Sequence, residues 1–188
     1  MSQYITTHDA KGQSVYSNKT PTEPHAHHIP GGKMEILYNS HHFPPSLNTE
    51  ADIDQYAHDR THGIEGGICP PQGTAAAIVS FEPNAASAWH RTMSLDVMVI
   101  IEGVMEAHLE GGEVRTLKAG DSMVQRGTMH MWKNVTPGDG WAKAVGMYPA
   151  TIRSLFMSWL LTSLVAFASA IQQPLEIAGK TLETEFRM

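Results

Sequence analysis

The chain has 188 residues, a length typical of one domain with a single hydrophobic core. Acidic residues outnumber basic ones, 19 to 13, and the formal net charge of −6 argues against a nucleic-acid-binding protein, which needs a basic face. One cysteine, Cys69, excludes a disulfide within the chain. The first residues contain no basic region followed by an apolar run, so we predict a cytoplasmic protein.

Residues 1–74 are predicted to form an N-terminal arm with long loops. Residues 4–17 alternate around a turn-forming cluster, which indicates a hairpin. Proline, histidine and glycine dominate residues 18–32 and predict a loop, a short strand is expected over 33–38, and 39–73 is predicted to be a long irregular excursion. We expect the histidines of these loops to be solvated, because no carboxylate pattern or strand supports them. They are His25, His27, His28, His41 and His42.

A β-sheet core is predicted over residues 75–145. Its strands are expected at residues 74–81, 88–102, 104–109, 114–117 and 122–135. Between the third and fourth of these, Gly111-Gly112 suits the positive φ angles of a hairpin turn. Short strands at close spacing, separated by glycine turns, are typical of a barrel or a sandwich.

Two histidines of this core carry the chemistry that the sequence suggests. Strand alternation puts His90 on one face with Thr92, and Asp96 follows four residues after Thr92. His130 shares a face with Trp132 on a later strand. If neighbouring strands bring these faces together, they offer two imidazoles, one carboxylate and one hydroxyl. Two histidines and a carboxylate are the set that holds a divalent metal with positions left open for substrate.

These residues fall into two motifs that resemble those of the cupin family, and more closely a subgroup of small cupins. The first motif is matched by His90-Arg91-Thr92-Met93-Ser94-Leu95-Asp96, followed after six residues by Gly103. The second is matched by Gly120-Asp121-Ser122-Met123-Val124-Gln125-Arg126-Gly127-Thr128-Met129-His130, with Asn134 four residues later. The resemblance is strongest over residues 83–145. It implies an all-β fold, the double-stranded β-helix (jelly-roll) barrel of the cupins, preceded by an N-terminal arm.

Departures from the common cupin pattern bear on metal binding. Thr92 stands where the pattern has a second histidine, Asp96 where it has a glutamate, and Gln125-Arg126-Gly127 where it has a Pro-x-Gly turn. The resemblance implies a divalent cofactor (iron, manganese or zinc) on His90, Asp96 and His130, which are also the predicted catalytic residues. A metal-free alternative stays open, in which the same three side chains form a hydrogen-bonded cluster that works as acid and base.

Apolar side chains on the inward faces are predicted to contact the substrate. Methionines are frequent around the motif strands, and inward methionine, isoleucine and tryptophan side chains make an adaptable lining for an aromatic or apolar ligand. Ordinary core filling is the alternative for each of them. The predicted substrate-binding residues are Thr92, Met98, Ile100 and Trp132. His108 falls on the opposite strand face from Met105 and is expected outside the barrel.

Near the C-terminus, residues 146–172 are predicted to form an apolar helical insertion, and 173–188 a C-terminal segment. Residues 154–173 carry no charged side chain, and apolar residues recur there at helical spacing. We favour a helix packed on the barrel or at a dimer contact over a membrane anchor. A third hypothesis, that residues 146–164 are translated from a retained intron, also stays open.

The resemblance implies a tailoring enzyme of secondary metabolism. Small cupins of this kind occur in fungal aromatic-polyketide and salicylaldehyde-type pathways, so the expected activity is that of an oxidoreductase or a dehydratase/isomerase, with decarboxylation not excluded. The expected substrate is a small aromatic or polyketide-derived carbonyl or phenolic compound. The alternative is a non-catalytic cupin that binds an apolar metabolite. A homodimer is also implied by the resemblance, and no glycine fingerprint of a nicotinamide or flavin site is present.

Overall fold

The computed structural model describes residues 1–65, 67–150, 175–177, 180–182 and 185–187. Its strands and its helix follow in chain order. They are β1 Thr6–His8, β2 Ser14–Tyr16, β3 Ala26–Ile29, β4 Gly32–Ser40, α1 Ala51–His62, β5 Thr74–Phe81, β6 Trp89–Arg91, β7 Leu95–Glu102, β8 Val104–Leu109, β9 Val114–Lys118, β10 Ser122–Arg126, β11 His130–Asn134, β12 Ala142–Pro149, β13 Leu175–Ile177, β14 Lys180–Leu182 and β15 Glu185–Arg187.

Two antiparallel sheets form the barrel. The larger one has the strand order β10-β7-β12-β5-β4-β3, and the smaller one the order β15-β6-β11-β8-β9. Alternate residues of both sheets share one buried cluster, in which Ala77, Met98 and Ala144 of the larger sheet join Met105 and Trp132 of the smaller. The core therefore lies between the sheets, and the predicted double-stranded β-helix is confirmed.

Both predicted hairpins are present. In the arm, β1 pairs with β2, and the Asp9 carboxylate closes the turn by accepting backbone hydrogen bonds from Lys11 and Gln13 at 2.8 and 2.9 Å. In the core, β8 pairs with β9 through a turn that contains Gly112 at a φ of 87°. The side chain of His108 lies half-buried on the face opposite to Met105, as predicted.

The region predicted to be irregular over residues 39–73 contains helix α1, so that prediction was wrong. The helix packs against β4, where the buried Tyr56 hydroxyl donates to the carbonyl of Ile36 at 3.1 Å. Residues 18–32 likewise include strand β3, which pairs with β4. Both elements depend on contacts with β4, and such contacts are not visible in a local sequence pattern.

The predicted insertion over residues 146–172 starts too early. Residues 146–149 complete β12, which pairs with β5 on one side and with β7 on the other. The rest of the apolar segment, residues 151–174, lies outside the described residues, as do its helical, anchor and intron interpretations. In the part of the chain that the structure describes, no helix is long and apolar enough to cross a membrane. C-terminal to the apolar segment, β15 joins the smaller sheet beside β6.

Candidate functional site

His90 and His130 are brought together by the pairing of β6 with β11. The two residues lie directly opposite each other, and their ring centroids are 4.2 Å apart. Each ring donates its Nδ1 proton to a backbone carbonyl two residues earlier, His90 to Ala88 at 2.9 Å and His130 to Thr128 at 2.8 Å. These bonds fix both rings and leave Nε2 as the acceptor nitrogen of the neutral imidazole.

Burial keeps the His130 imidazole uncharged. Only 2% of the residue is exposed, whereas His90 is half-buried. Burial, followed by the neighbouring charge of His90, lowers the pKa of His130 to about 4, against a smaller opposing effect of the Thr128 carbonyl. At neutral pH His130 is therefore a neutral ring that can accept a proton or bind a ligand through Nε2.

Asp96 lies on the inward face of the larger sheet and is held by two hydroxyl groups. Thr92 donates to one carboxylate oxygen at 2.6 Å, and Ser94 donates to the other. The residue is 3% exposed, and burial raises the pKa of its carboxyl group, opposed by the Ser94 and Thr92 hydrogen bonds and the charge of His90. The sequence predicted that Asp96 joins the histidines. The structure places it within electrostatic range of His90, and its carboxylate accepts hydrogen bonds from two residues of the turn between β6 and β7.

The predicted substrate contacts have inward positions in the structure. Met98, Ile100 and Trp132 are 5%, 0% and 3% exposed and belong to the buried cluster between the sheets. The Trp132 ring meets His130 edge-on at a centroid distance of 6.4 Å. Thr92 is half-buried beside Asp96. Their roles in substrate binding stay predictions.

Three buried side chains near Asp96 were missed by the sequence reasoning. Cys69 and Tyr148 lie close enough that the Asp96 charge adds to burial in raising the pKa of each, that of Cys69 to about 12. Gln125 is directly opposite Asp96 in the β10–β7 ladder and is 3% exposed. Strand alternation from Met123 could have revealed Gln125 as an inward residue. No local signal connects Cys69 with this site.

Among the described residues, the two imidazoles are the nitrogen ligands that this arrangement offers to a divalent metal ion. Both present an acceptor nitrogen when neutral, and the Asp96 oxygens accept one hydroxyl hydrogen bond each and keep further lone pairs. Within the described ranges, no group of three or more His, Cys, Asp and Glu side chains has the geometry of a metal site. A divalent ion here would rest on His90 and His130 and would need a further ligand.

A second polar cluster joins the loop histidines to helix α1. The buried Asp59 carboxylate accepts hydrogen bonds from His41 at 2.6 Å and from His58 at 3.1 Å, and His27 donates to the Arg60 carbonyl at 2.9 Å. The expectation of solvated loop histidines is therefore wrong for His27 and His41, because the helix that orders them was not predicted. It holds for the exposed His25, His28 and His42.

Comparisons with known proteins found relatives of this chain. No family model matches the chain. A cupin-domain-containing oxidoreductase of Aspergillus ruber is 37% identical over 142 residues, which cover 73% of this chain and 66% of that protein. An oryzines biosynthesis cluster protein of Aspergillus oryzae is 37% identical over 134 residues, with 70% and 73% covered. A cupin-domain-containing oxidoreductase of Hypocrea virens is 33% identical over 144 residues, with 73% and 69% covered. The solved structure of a cupin from Shewanella frigidimarina gives a TM-score of 0.45 at 14% identity, with 80% of this chain and 96% of that chain covered.

The fold and the site together define a class: an antiparallel double-stranded β-helix with paired histidines on its inner face. Within that class, the relatives identify the family. The chain belongs to the cupin-domain family represented by these fungal proteins, and it spans about two thirds of the length of the Aspergillus ruber relative.

Proposed function

We propose that this protein is a cupin tailoring enzyme of fungal secondary metabolism. Its activity is that of an oxidoreductase or a dehydratase/isomerase, and its substrate is an aromatic or polyketide-derived carbonyl or phenolic compound. The inward His90–His130 pair, close to the buried Asp96 and bordered by methionine and tryptophan side chains, carries the proposal. The names of the relatives support it, since they include cupin-domain-containing oxidoreductases and a protein of the oryzines biosynthesis cluster.

Proton transfer is the chemistry that these residues perform themselves. The lowered pKa of His130 and the raised pKa of Asp96 bring two groups with ordinarily different proton affinities closer together. Groups with matched affinities exchange a proton at little free-energy cost. When no metal ion is bound, His130 takes a proton at Nε2, and Asp96 holds or returns one, while the buried surroundings exclude water from the reacting atoms.

A divalent ion of the iron, manganese or zinc class is the proposed cofactor, with His90 and His130 as its ligands. When bound, it would polarise a carbonyl or phenolic oxygen of the substrate. The two histidines would hold it through rings that are already fixed by the Ala88 and Thr128 carbonyls.

Salicylaldehyde tests this function because it combines a phenol and an aldehyde on one ring. Purified protein is incubated with the compound in air, with and without added iron, manganese or zinc, and binding and products are followed by NMR and mass spectrometry. We expect the wild type to bind and convert it, and His130→Ala to lose conversion by about 100-fold or more. His108→Ala is the matched control, because this half-buried histidine lies on the outer face of the neighbouring strand β8.

The outcomes separate the alternatives. Tight binding with the probe recovered unchanged, in every metal condition, would favour the non-catalytic cupin. Equal conversion by His130→Ala and the wild type would contradict the role of the histidine pair. No binding to the wild type would contradict the proposed substrate class.

A further inference from the structure

Gln125 carries a buried amide nitrogen that has no hydrogen-bond partner among the described residues. The residue lies on the inward face of β10 and is 3% exposed. It is directly opposite Asp96 across the β10–β7 ladder, so the two side chains start from neighbouring positions. The amide is thus next to the candidate catalytic carboxyl group.

Such a donor is costly to bury without an acceptor. An unsatisfied buried N–H group costs roughly 1–3 kcal/mol, and nearly all buried polar groups in native proteins are paired. No hydrogen bond joins this amide to the neighbouring Asp96 carboxylate, whose oxygens accept from Thr92 and Ser94. The Gln125 amide is therefore available to an acceptor that enters the barrel.

Two residues of the candidate site are only partly buried. His90 and Thr92 are half-buried, in contrast to the buried His130, Asp96 and Gln125. Asp96 lies directly across the ladder from Gln125, and the next inward pair of the same ladder is the apolar Met123 and Met98. An entering molecule would meet the Gln125 donor beside the polar Asp96 group and beside this apolar pair.

We propose that the Gln125 side-chain amide donates a hydrogen bond to an acceptor oxygen of the bound ligand. The site then selects compounds in which a carbonyl oxygen is attached to an apolar body. This inference rests on the proposed function, because it takes the barrel interior to be the ligand site. It makes Gln125 a residue that determines specificity and assigns it no step in the chemistry.

Acetophenone and α-methylstyrene form the probe pair that tests the assignment. They have nearly the same shape and differ in the acceptor, a C=O oxygen in one and a CH₂ group in the other. Dissociation constants are measured by ligand-observed NMR for the wild type and for Gln125→Met, which keeps the side-chain length and lacks the donor. Val124→Met is the control variant, because Val124 precedes Gln125 and points outward with 57% exposure.

We expect the wild type and Val124→Met to prefer acetophenone by about tenfold, the usual effect of one buried hydrogen bond. Gln125→Met should bind the two probes equally. Its melting temperature should equal or exceed that of the wild type, because the substitution removes an unpaired buried donor. A structural role of Gln125 would instead lower the melting temperature of this variant.

Three results would overturn the assignment. A preference for acetophenone that survives in Gln125→Met would show that the amide does not recognise the carbonyl oxygen of the ligand. The proposed function would then stand. A clear loss of thermal stability in Gln125→Met would show that the amide stabilises the fold through a hydrogen-bond partner within the protein. If neither probe bound the wild type at millimolar concentration, the assignment and the proposed function would fail together.

Discussion

The single thiol of the chain lies against the candidate site and is shielded from solvent. Cys69 is 1% exposed and donates to the Tyr148 carbonyl at 2.7 Å. Burial, with a smaller effect of the Asp96 charge, raises the pKa of the thiol from 9.0 to about 12. A shift of this size lowers the reactive thiolate fraction by about three orders of magnitude.

We therefore expect Cys69 to be unreactive in the folded protein. At mildly alkaline pH, a thiol-specific chromogenic disulfide should release almost no colour from the native chain. The same assay in concentrated guanidinium chloride should release one equivalent per chain, which serves as the internal control. Rapid stoichiometric reaction of the native protein would contradict the burial of Cys69.

Single residues of the site could be predicted in part from the sequence. The alternation of β6 and β11 sufficed to put His90 and His130 on inward faces, and the structure pairs them. The hydrogen bonds of Asp96 were not predictable, because they depend on where the turn after β6 places the Thr92 and Ser94 hydroxyl groups. In the sequence, Gln125 stands out only as a departure from a turn motif, whereas its register opposite Asp96 makes it a polar group of the interior.

Among the elements, the junction of β7 with β8 depends on Gly103. This residue has a φ of 77°, and a side-chain Cβ would lie 2.7 Å from the Trp141 carbonyl oxygen and 2.9 Å from the Ala142 Cα, with Thr136 also in contact. The strand break at Gly103 was visible in the sequence. The tight packing that requires glycine there involves the loop before β12, and this contact was not visible in the sequence.

Gly103→Ala should lower the free energy of unfolding by about 2–4 kcal/mol, through both the left-handed backbone and the overpacking. Gly111→Ala is the matched control, because its Cβ would meet no atom within 4 Å. That control should stay within about 0.5 kcal/mol of the wild type. Urea denaturation measures both variants, and equal midpoints for Gly103→Ala and the wild type would contradict the packing argument.

Elements with strong local patterns were predicted, and elements held by distant contacts were not. The β1–β2 and β8–β9 hairpins have turn residues and alternation in one short stretch. Helix α1 buries Ile53 and Tyr56 but is polar elsewhere, so its pattern is weak and its stability comes from β4. The same dependence explains why the sequence predicts a loop where β3 forms.

For the whole molecule, Asp59 fastens helix α1 to the larger sheet. Its carboxylate is buried and accepts hydrogen bonds from Asn39 of β4 as well as from His41, Gln55 and His58. Burial alone would raise the pKa of Asp59, but these four donors outweigh it and lower the pKa below the usual 3.8. The folded state therefore favours the ionised form more than the unfolded chain does.

A lowered carboxyl pKa stabilises the fold above the unfolded value, and the stabilisation is lost as the pH falls through the folded value. We expect Asp59→Asn to be less stable than the wild type at neutral pH by about 2 kcal/mol or more, because the amide cannot accept all four donors. The difference should narrow as the pH falls below about 4, where the wild type also becomes protonated. Asp54→Asn, at an exposed position of the same helix, is the control and should change stability little at any pH. Free energies of unfolding measured from acid to neutral pH decide the matter. A difference for Asp59→Asn that does not change with pH would mean that the Asp59 charge does not hold the helix to the sheet.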